Sequence, residues 1–299
     1  VSSTLEATAP CRLELIGGPL VGALPTDGVL RLAVALDRRV LCRVEPRPSG
    51  LEIHSKDTGE RVVADDARDV PEGPAARVAR MLVATGVHSG LRVVTHVRVP
   101  EDAGLGTDSA LQVAVSAALG LGGAEILERG LLADGGEGNA PAPSDLHAAL
   151  FGGAHVLRIR EGVVSIERIG ADPARIEECL SLVDPGPVPM AASPVMASSA
   201  DAALRASRAI AAGAYDEMSA LLSAVHRGRV DSAAPAVRRL VEGIERAGGA
   251  AWPSGRLIAV WAVPGARSPG PREAVAALVK EAGLRSFPAR VDLRGLEVE

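Results

Sequence analysis

Polar and apolar positions alternate through the first hundred residues and give way to helical spacing later. From Ala9 to Leu15 the order Ala-Pro-Cys-Arg-Leu-Glu-Leu predicts a strand with Arg12 and Glu14 on one face, ended by Ile-Gly-Gly-Pro at 16–19. Strands are predicted over Gly28–Leu36 and Arg39–Glu45, linked through Asp37-Arg38. A hairpin-like segment follows over Gly50–Val63, turning at Lys56-Asp-Thr-Gly59. A helix from about Pro74 to Thr85 leads through Gly86 into a β-like run, Leu91–Val99, stopped by Pro100. Next come a glycine-rich turn opening an alanine-rich helix, a second helix and loose loop over Gly120–Gly138, and a short helix between Pro143 and Gly153. His155–Ile159 and Val163–Ile169 form a hairpin about Glu161-Gly162, and Ser181–Val183 is a further strand.

Asp184-Pro-Gly-Pro-Val-Pro189 is the clearest break in the chain and predicts a boundary between units 1–185 and 186–299. Beyond it, apolar residues at three-to-four spacing predict helices over Ser199–Ala212, Tyr215–His226 and Ala234–Gly248. Strand Arg256–Val263, helix Pro271–Ala282 and a closing strand Ser286–Leu293 complete the pattern. Several strands before any long helix suggest α+β rather than a doubly wound sheet.

The stretch with the most chemistry is Pro100-Glu-Asp-Ala-Gly-Leu-Gly-Thr-Asp-Ser-Ala-Leu111. Gly104 and Gly106 can take positive φ and bring backbone close to a ligand, while Thr107, Asp108 and Ser109 stand where N-cap side chains belong. The N–H groups and dipole of such a helix start favour a phosphate by about 0.3–1 kcal/mol. No lysine follows the glycines, which excludes a P-loop. A dinucleotide turn would need Ser109 as its third small residue and Glu125 or Glu128 as its ribose acid. The plain alternative is a capped helix after a turn.

With 299 residues there is room for two domains, each with a core, and because aromatics are only 2% those cores must be built from Val, Leu, Ile and Ala. A net charge of −5 gives no basic field for nucleic acid. Cys11, Cys42 and Cys179 form no Cys-x-x-Cys pair, so reduced, cytosolic thiols are expected. No apolar run approaches 18 residues and the beginning lacks a basic-then-apolar signal pattern, so a soluble, cytoplasmic protein without membrane partners is expected. The six histidines show no ligand spacing.

Pro-x-x-x-Gly-Leu-Gly followed by small hydroxyl residues and alanine resembles the second motif of the GHMP kinases, named for galactokinase, homoserine, mevalonate and phosphomevalonate kinases. Ala9-Pro-Cys-Arg-Leu-Glu-Leu-Ile-Gly-Gly18 is similar to the first motif of galactokinase-like members, with Cys11 for a glycine, Glu14 for an asparagine, and the motif's arginine at Arg12. Ser144-Asp145-Leu-His-Ala-Ala-Leu-Phe-Gly-Gly153 is similar to the sugar-kinase segment whose aspartate is the proposed base; that aspartate lands on Asp145. The closing Phe287–Glu299 resembles heptose- and fucose-kinase-like members.

Three departures accompany these matches. Pro19-Leu-Val-Gly22 stands where the sugar-holding residues belong. The third glycine-rich motif is cut to Ser254-Gly255 before Arg256-Leu-Ile-Ala-Val. Asp108 replaces the serine that helps to hold magnesium.

The resemblance implies a two-domain fold: an N-terminal ribosomal-S5-like α+β domain carrying the phosphate motif, and a C-terminal ferredoxin-like α/β sandwich. It implies an ATP-dependent kinase acting on a hydroxyl of a sugar or sugar-like polyol. Asp145 would be the base with Arg12 its charge partner, Gly104, Leu105, Gly106, Thr107, Asp108 and Ser109 would hold the nucleotide, and Asp108 would serve as the Mg²⁺ ligand. Read without the resemblance, Asp145 is a natural N-cap and Arg12 an exposed strand residue. The departures together imply the alternative of a kinase-fold protein that binds a small molecule or partner without transferring phosphate.

Overall fold

The computed structural model describes residues 3–17, 31–100, 102–130, 143–161, 163–186, 200–265 and 270–299. The order is β1 (Leu5–Ile16), β2 (Arg31–Pro46), β3 (Leu51–Ser55), β4 (Arg61–Ala64), a 3-10 turn at Ala67–Asp69, α1 (Pro74–Thr85), β5 (Leu91–Val97), α2 (Thr107–Ala118), α3 (Gly123–Gly130) and α4 (Pro143–Phe151). Then come β6 (Ala154–Arg160), β7 (Val163–Arg168), α5 (Pro173–Cys179), β8 (Leu180–Asp184), α6 (Ala200–Ala212) and α7 (Tyr215–Asp231). α8 (Pro235–Arg246), β9 (Ala250–Ser254), β10 (Leu257–Trp261), α9 (Pro271–Glu281), β11 (Arg285–Pro288) and β12 (Glu297–Val298) complete the described chain. The architecture is α+β. One sheet runs β12-β1-β2-β5-β3-β4 with β6 and β7 branching from β2, and a second runs β11-β8-β10-β9.

The two strands expected on either side of Asp37-Arg38 are one strand, β2. Its register against β1 jumps from Pro10↔Arg39 to Cys11↔Leu36, so Asp37 and Arg38 are extra residues of a bulge rather than a turn. The bulge divides the strand's partners: β5 pairs with residues from Val40 onward, and β6 with Arg31 to Val34. The expected closing strand is also divided. β11 joins the second sheet beside β8, Val291 makes an isolated bridge to Leu36, and β12 returns to β1. Arg39 explains the detour: its guanidinium is bound by the fully buried Asp292 carboxylate and donates to the Gly295 carbonyl at 2.6 Å. α5 and β9 were not expected; β9 lies where the shortened third motif begins.

The second sheet takes β8 from the chain before residue 185, and the first takes β12 from the chain's end. Residues 19–22 and 131–138, where lost sugar contacts and a loop were expected, lie outside the described residues. α1 follows its pattern: Pro74 opens it, Ala75, Val78, Ala79 and Leu82 are buried, and Gly86 at φ 79° closes it by donating to Leu82 and Val83 carbonyls. The cores are aliphatic as expected. Trp252 and Trp261 are fully buried within them, and the Trp261 indole donates to the Tyr215 carbonyl at 3.2 Å.

Candidate active site

At the start of α2, Gly106 is the N-cap, at φ 62°, and no side chain caps the helix. Thr107, Asp108 and Ser109 are therefore not the caps that their composition suggested; they are the first three helical residues. Their N–H groups have no carbonyl one turn back to bond. Such a helix start fits a phosphate. Gly104 and Gly106 take the positive φ expected of them, 71° and 62°, and both lie close to other parts of the chain. A Cβ at Gly106 would meet the Arg12 side chain at 3.0 Å, and one at Gly104 would meet the Gly255 backbone nitrogen at 2.4 Å. Both glycines admit parts of this protein, and Arg12 N–H also donates to the Leu105 carbonyl at 2.8 Å.

The structure brings Arg12 and Asp145 together. Arg12 Nε donates to Asp145 Oδ1 at 2.7 Å and its NH2 group to Oδ2 at 2.5 Å, a bidentate pair joining β1 to the first turn of α4. Neither alternative from local sequence holds alone: Arg12 is not an exposed strand residue, and Asp145, 8% exposed, is committed to a distant cation.

Three more buried residues extend this pair. Arg31, at the start of β2, lies 3.6 Å from Asp145 and 3.4 Å from Glu14. Arg229 of α7 reaches Glu14 at 3.2 Å and donates to the Gly17 carbonyl at 3.0 Å. Burial alone would push the Glu14 carboxyl up, but Arg31, Arg12 and Arg229 outweigh it and hold the carboxyl below the ordinary glutamate range. Burial likewise works against the charge on Arg12, yet Asp145 and Glu14 more than offset it, and the group is held above the usual arginine range. Arg31 and Arg229 escaped the sequence reading. The available signal was Glu14 itself, a carboxylate between apolar strand positions that needs cations once buried.

Asp108 faces away from this network. Its carboxylate is 2.5 Å from the Arg77 guanidinium of α1, and both side chains are more than half exposed. Arg77 thus offsets the negative charge that Asp108 brings to the start of α2. For Mg²⁺, the carboxylate at this helix start is Asp108, held by Arg77 in an exposed pair; an ion that arrives with a nucleotide takes only one or two carboxylates beside the phosphates, so this residue fits that role.

Gly255 and Arg256 form the two-residue turn of a hairpin, with Ser254 opposite Leu257. This turn lies against the glycine loop that precedes α2. Arg256 N–H donates to the Asp102 carbonyl at 2.5 Å, and Ser254 Oγ to the Gly104 carbonyl at 3.2 Å. A Cβ on Gly255 would sit 2.2 Å from the Asp102 oxygen. The shortened third motif therefore braces the loop by direct backbone contact.

The two-sheet α+β fold is found in solved structures over nearly the whole chain. A D-glycero-D-manno-heptose 1-phosphate kinase from Bacteroides thetaiotaomicron superposes with a TM-score of 0.78 at 20% identity, covering 99% of this chain and 98% of that one. The chain has the fold of the GHMP kinases. Galactokinase from Lactococcus lactis, solved with galactose, gives 0.73 at 14% identity over 98% and 95% of the two chains. Mevalonate kinase from Methanococcus jannaschii gives 0.65 at 13% over 98% and 99%. No protein-family model matches the sequence, and no curated protein matches it. Among the described residues no helix is long and apolar enough to cross a membrane.

Proposed function

We propose that this chain is an ATP-dependent kinase that transfers a phosphoryl group to a hydroxyl of a sugar or sugar-like polyol. The observation that carries this reading is the bidentate Arg12–Asp145 pair, part-buried beside the glycine loop. In this reading the N–H groups of Thr107, Asp108 and Ser109 hold the phosphates of ATP, which supplies the transferable phosphoryl group. Asp145 accepts the proton of the substrate hydroxyl as its oxygen bonds to phosphorus and the bond from phosphorus to the ADP oxygen breaks. Arg12 keeps the Asp145 carboxylate in one orientation. In this reading Asp108, whose contact with Arg77 is through Oδ1, would be the carboxylate that holds Mg²⁺, and no step is assigned to the metal. Units 1–185 and 186–299 are the nucleotide-binding and C-terminal domains of this proposal. The cytoplasm, where ATP is present and buried thiols stay reduced, is its location. The sugar class follows from the heptose 1-phosphate and galactose named for the two neighbours.

One observation favours a second reading, binding without transfer. The hairpin that replaces a third glycine loop offers a two-residue turn, already bonded to the phosphate loop, where further N–H donors would stabilise the transferring group. Two measurements separate the readings. Millimolar ATP, with and without Mg²⁺, should raise the melting temperature, because ligand at 100 times its Kd adds about 2.7 kcal/mol; no stabilisation of a folded sample would sink both nucleotide readings. γ-labelled ATP should then label at least one member of a panel of sugars and sugar phosphates. Binding with no transfer to any of them selects the second reading.

A further inference from the structure

We infer that Arg229 is a positioning residue for Asp145, acting through Glu14 and Arg31 from the same helix that supports the third-motif hairpin. The inference rests on the proposed role of Asp145 as base.

Five side chains form an alternating series of charges, Arg229, Glu14, Arg31, Asp145 and Arg12, drawn from α7, β1, β2 and α4. All five are buried or nearly so, which keeps their interactions strong and poorly screened. Arg12 grips Asp145 through two short hydrogen bonds, whereas Arg31 stands farther off, almost midway between Asp145 and Glu14. The placement of Arg31 therefore depends on how strongly Glu14 draws it. Arg229 shares the Glu14 carboxylate and weakens that draw. Without Arg229, Glu14 would pull Arg31 away from Asp145, so that the carboxylate loses its second guanidinium and settles against Arg12 in a different orientation.

The position of Arg229 is itself well fixed. One turn earlier on the same face of α7, the His226 ring stacks on Trp252 of β9, with centroids 4.8 Å apart and planes within 5°. Burial first, and Arg229 second, push the His226 pKa down to about 3, so the ring is neutral and Nε2–H donates to the Leu15 carbonyl at 2.7 Å. The same helix thus touches β9, which ends in the hairpin turn bracing the phosphate loop, and the charge series ending at the base. The two sides of the site are set relative to each other by one rigid element.

The test uses the full chain, with phosphoryl transfer from ATP to galactose and to D-glycero-D-manno-heptose 1-phosphate as the activity probes. Arg229→Gln should lower kcat about 10- to 100-fold, the range expected for a small misplacement of a reacting group, and leave the KM for ATP within about two-fold. Arg229→Lys should recover most of the loss, and Glu14→Gln combined with Arg229→Gln should lose no more than the worse single variant. Unchanged kcat in folded Arg229→Gln would overturn the inference. So would additive losses in the double variant, or a parallel fall in kcat, ATP affinity and melting temperature that lysine does not rescue. A readout independent of activity is the ¹⁵N signal of Arg12 Nε–H, which should shift in Arg229→Gln although the two residues do not touch. If the parent protein labels neither sugar, the choice of substrate or the kinase reading fails, and this signal alone decides: an unshifted Arg12 resonance overturns the positioning role.

Discussion

Asp145 and Asp108 are both aspartates in the first turn of a helix, and each is bound by an arginine from another element. Their settings differ. Asp145 is enclosed with two guanidiniums near it, and its loss would leave buried cations without their partner, typically a 3–5 kcal/mol penalty. Asp108 is 63% exposed at the side chain, where ion pairs contribute about 0.2–1 kcal/mol and yield to salt. The contrast separates an enclosed carboxylate held by two hydrogen bonds from an exposed one whose pair yields readily to other partners.

The largest effect should come from Asp145→Asn. Removing a positioned base costs about 10²–10⁴ in rate, so phosphoryl transfer should fall by that factor while ATP still raises the melting temperature. Transfer at the parental rate would remove Asp145 from the reaction and erase its distinction from Asp108.

Gly255→Ala should act next most strongly, and on stability. A left-handed non-glycine residue costs about 1–2 kcal/mol, and the added methyl would lie 2.2 Å from the Asp102 oxygen, so the hairpin and the phosphate loop must part. Chemical denaturation should show a loss of about 2–4 kcal/mol, with ATP affinity falling as well. Full stability in this variant would mean that the turn does not brace the loop.

Much of this architecture was legible in the pattern because local physics decides it. α1 has proline at its start, glycine at its end and an apolar stripe between, and its bounds match expectation. Arg12 and Asp145 were both identifiable, but only through resemblance to motifs, since an arginine in a strand and an aspartate at a helix start have ordinary local explanations. What remained hidden depends on distant partners. The Asp37-Arg38 bulge makes sense only once Arg39 meets Asp292, and Arg229 gains its role only by reaching Glu14 across the fold. The glycines before α2 were legible as positions of close approach, but glycine does not say what approaches it, and Arg12 and Gly255 as neighbours emerge only from the fold.

The smallest effects should separate the two functions open to Asp108. If its carboxylate is mainly a negative charge beside bound phosphates, Arg77→Ala exposes that charge and weakens ATP binding, while Asp108→Ser removes it and strengthens binding. Charges in the first turn of a helix are worth about 0.3–1 kcal/mol, or about two- to five-fold in Kd. In the double variant the charge is gone, so removing Arg77 should matter less than it does alone. Both changes should shrink toward nothing in 1 M salt, where the screening length is about 3 Å. If Asp108 instead leaves Arg77 to hold Mg²⁺, the signs reverse in a recognisable way: Asp108→Ser would abolish the Mg²⁺-dependent part of ATP binding, and Arg77→Ala would improve it. Calorimetry of the four proteins with ATP, with Mg²⁺ and with EDTA distinguishes the outcomes: the first is expected in EDTA, where the carboxylate keeps Arg77, and the second with Mg²⁺.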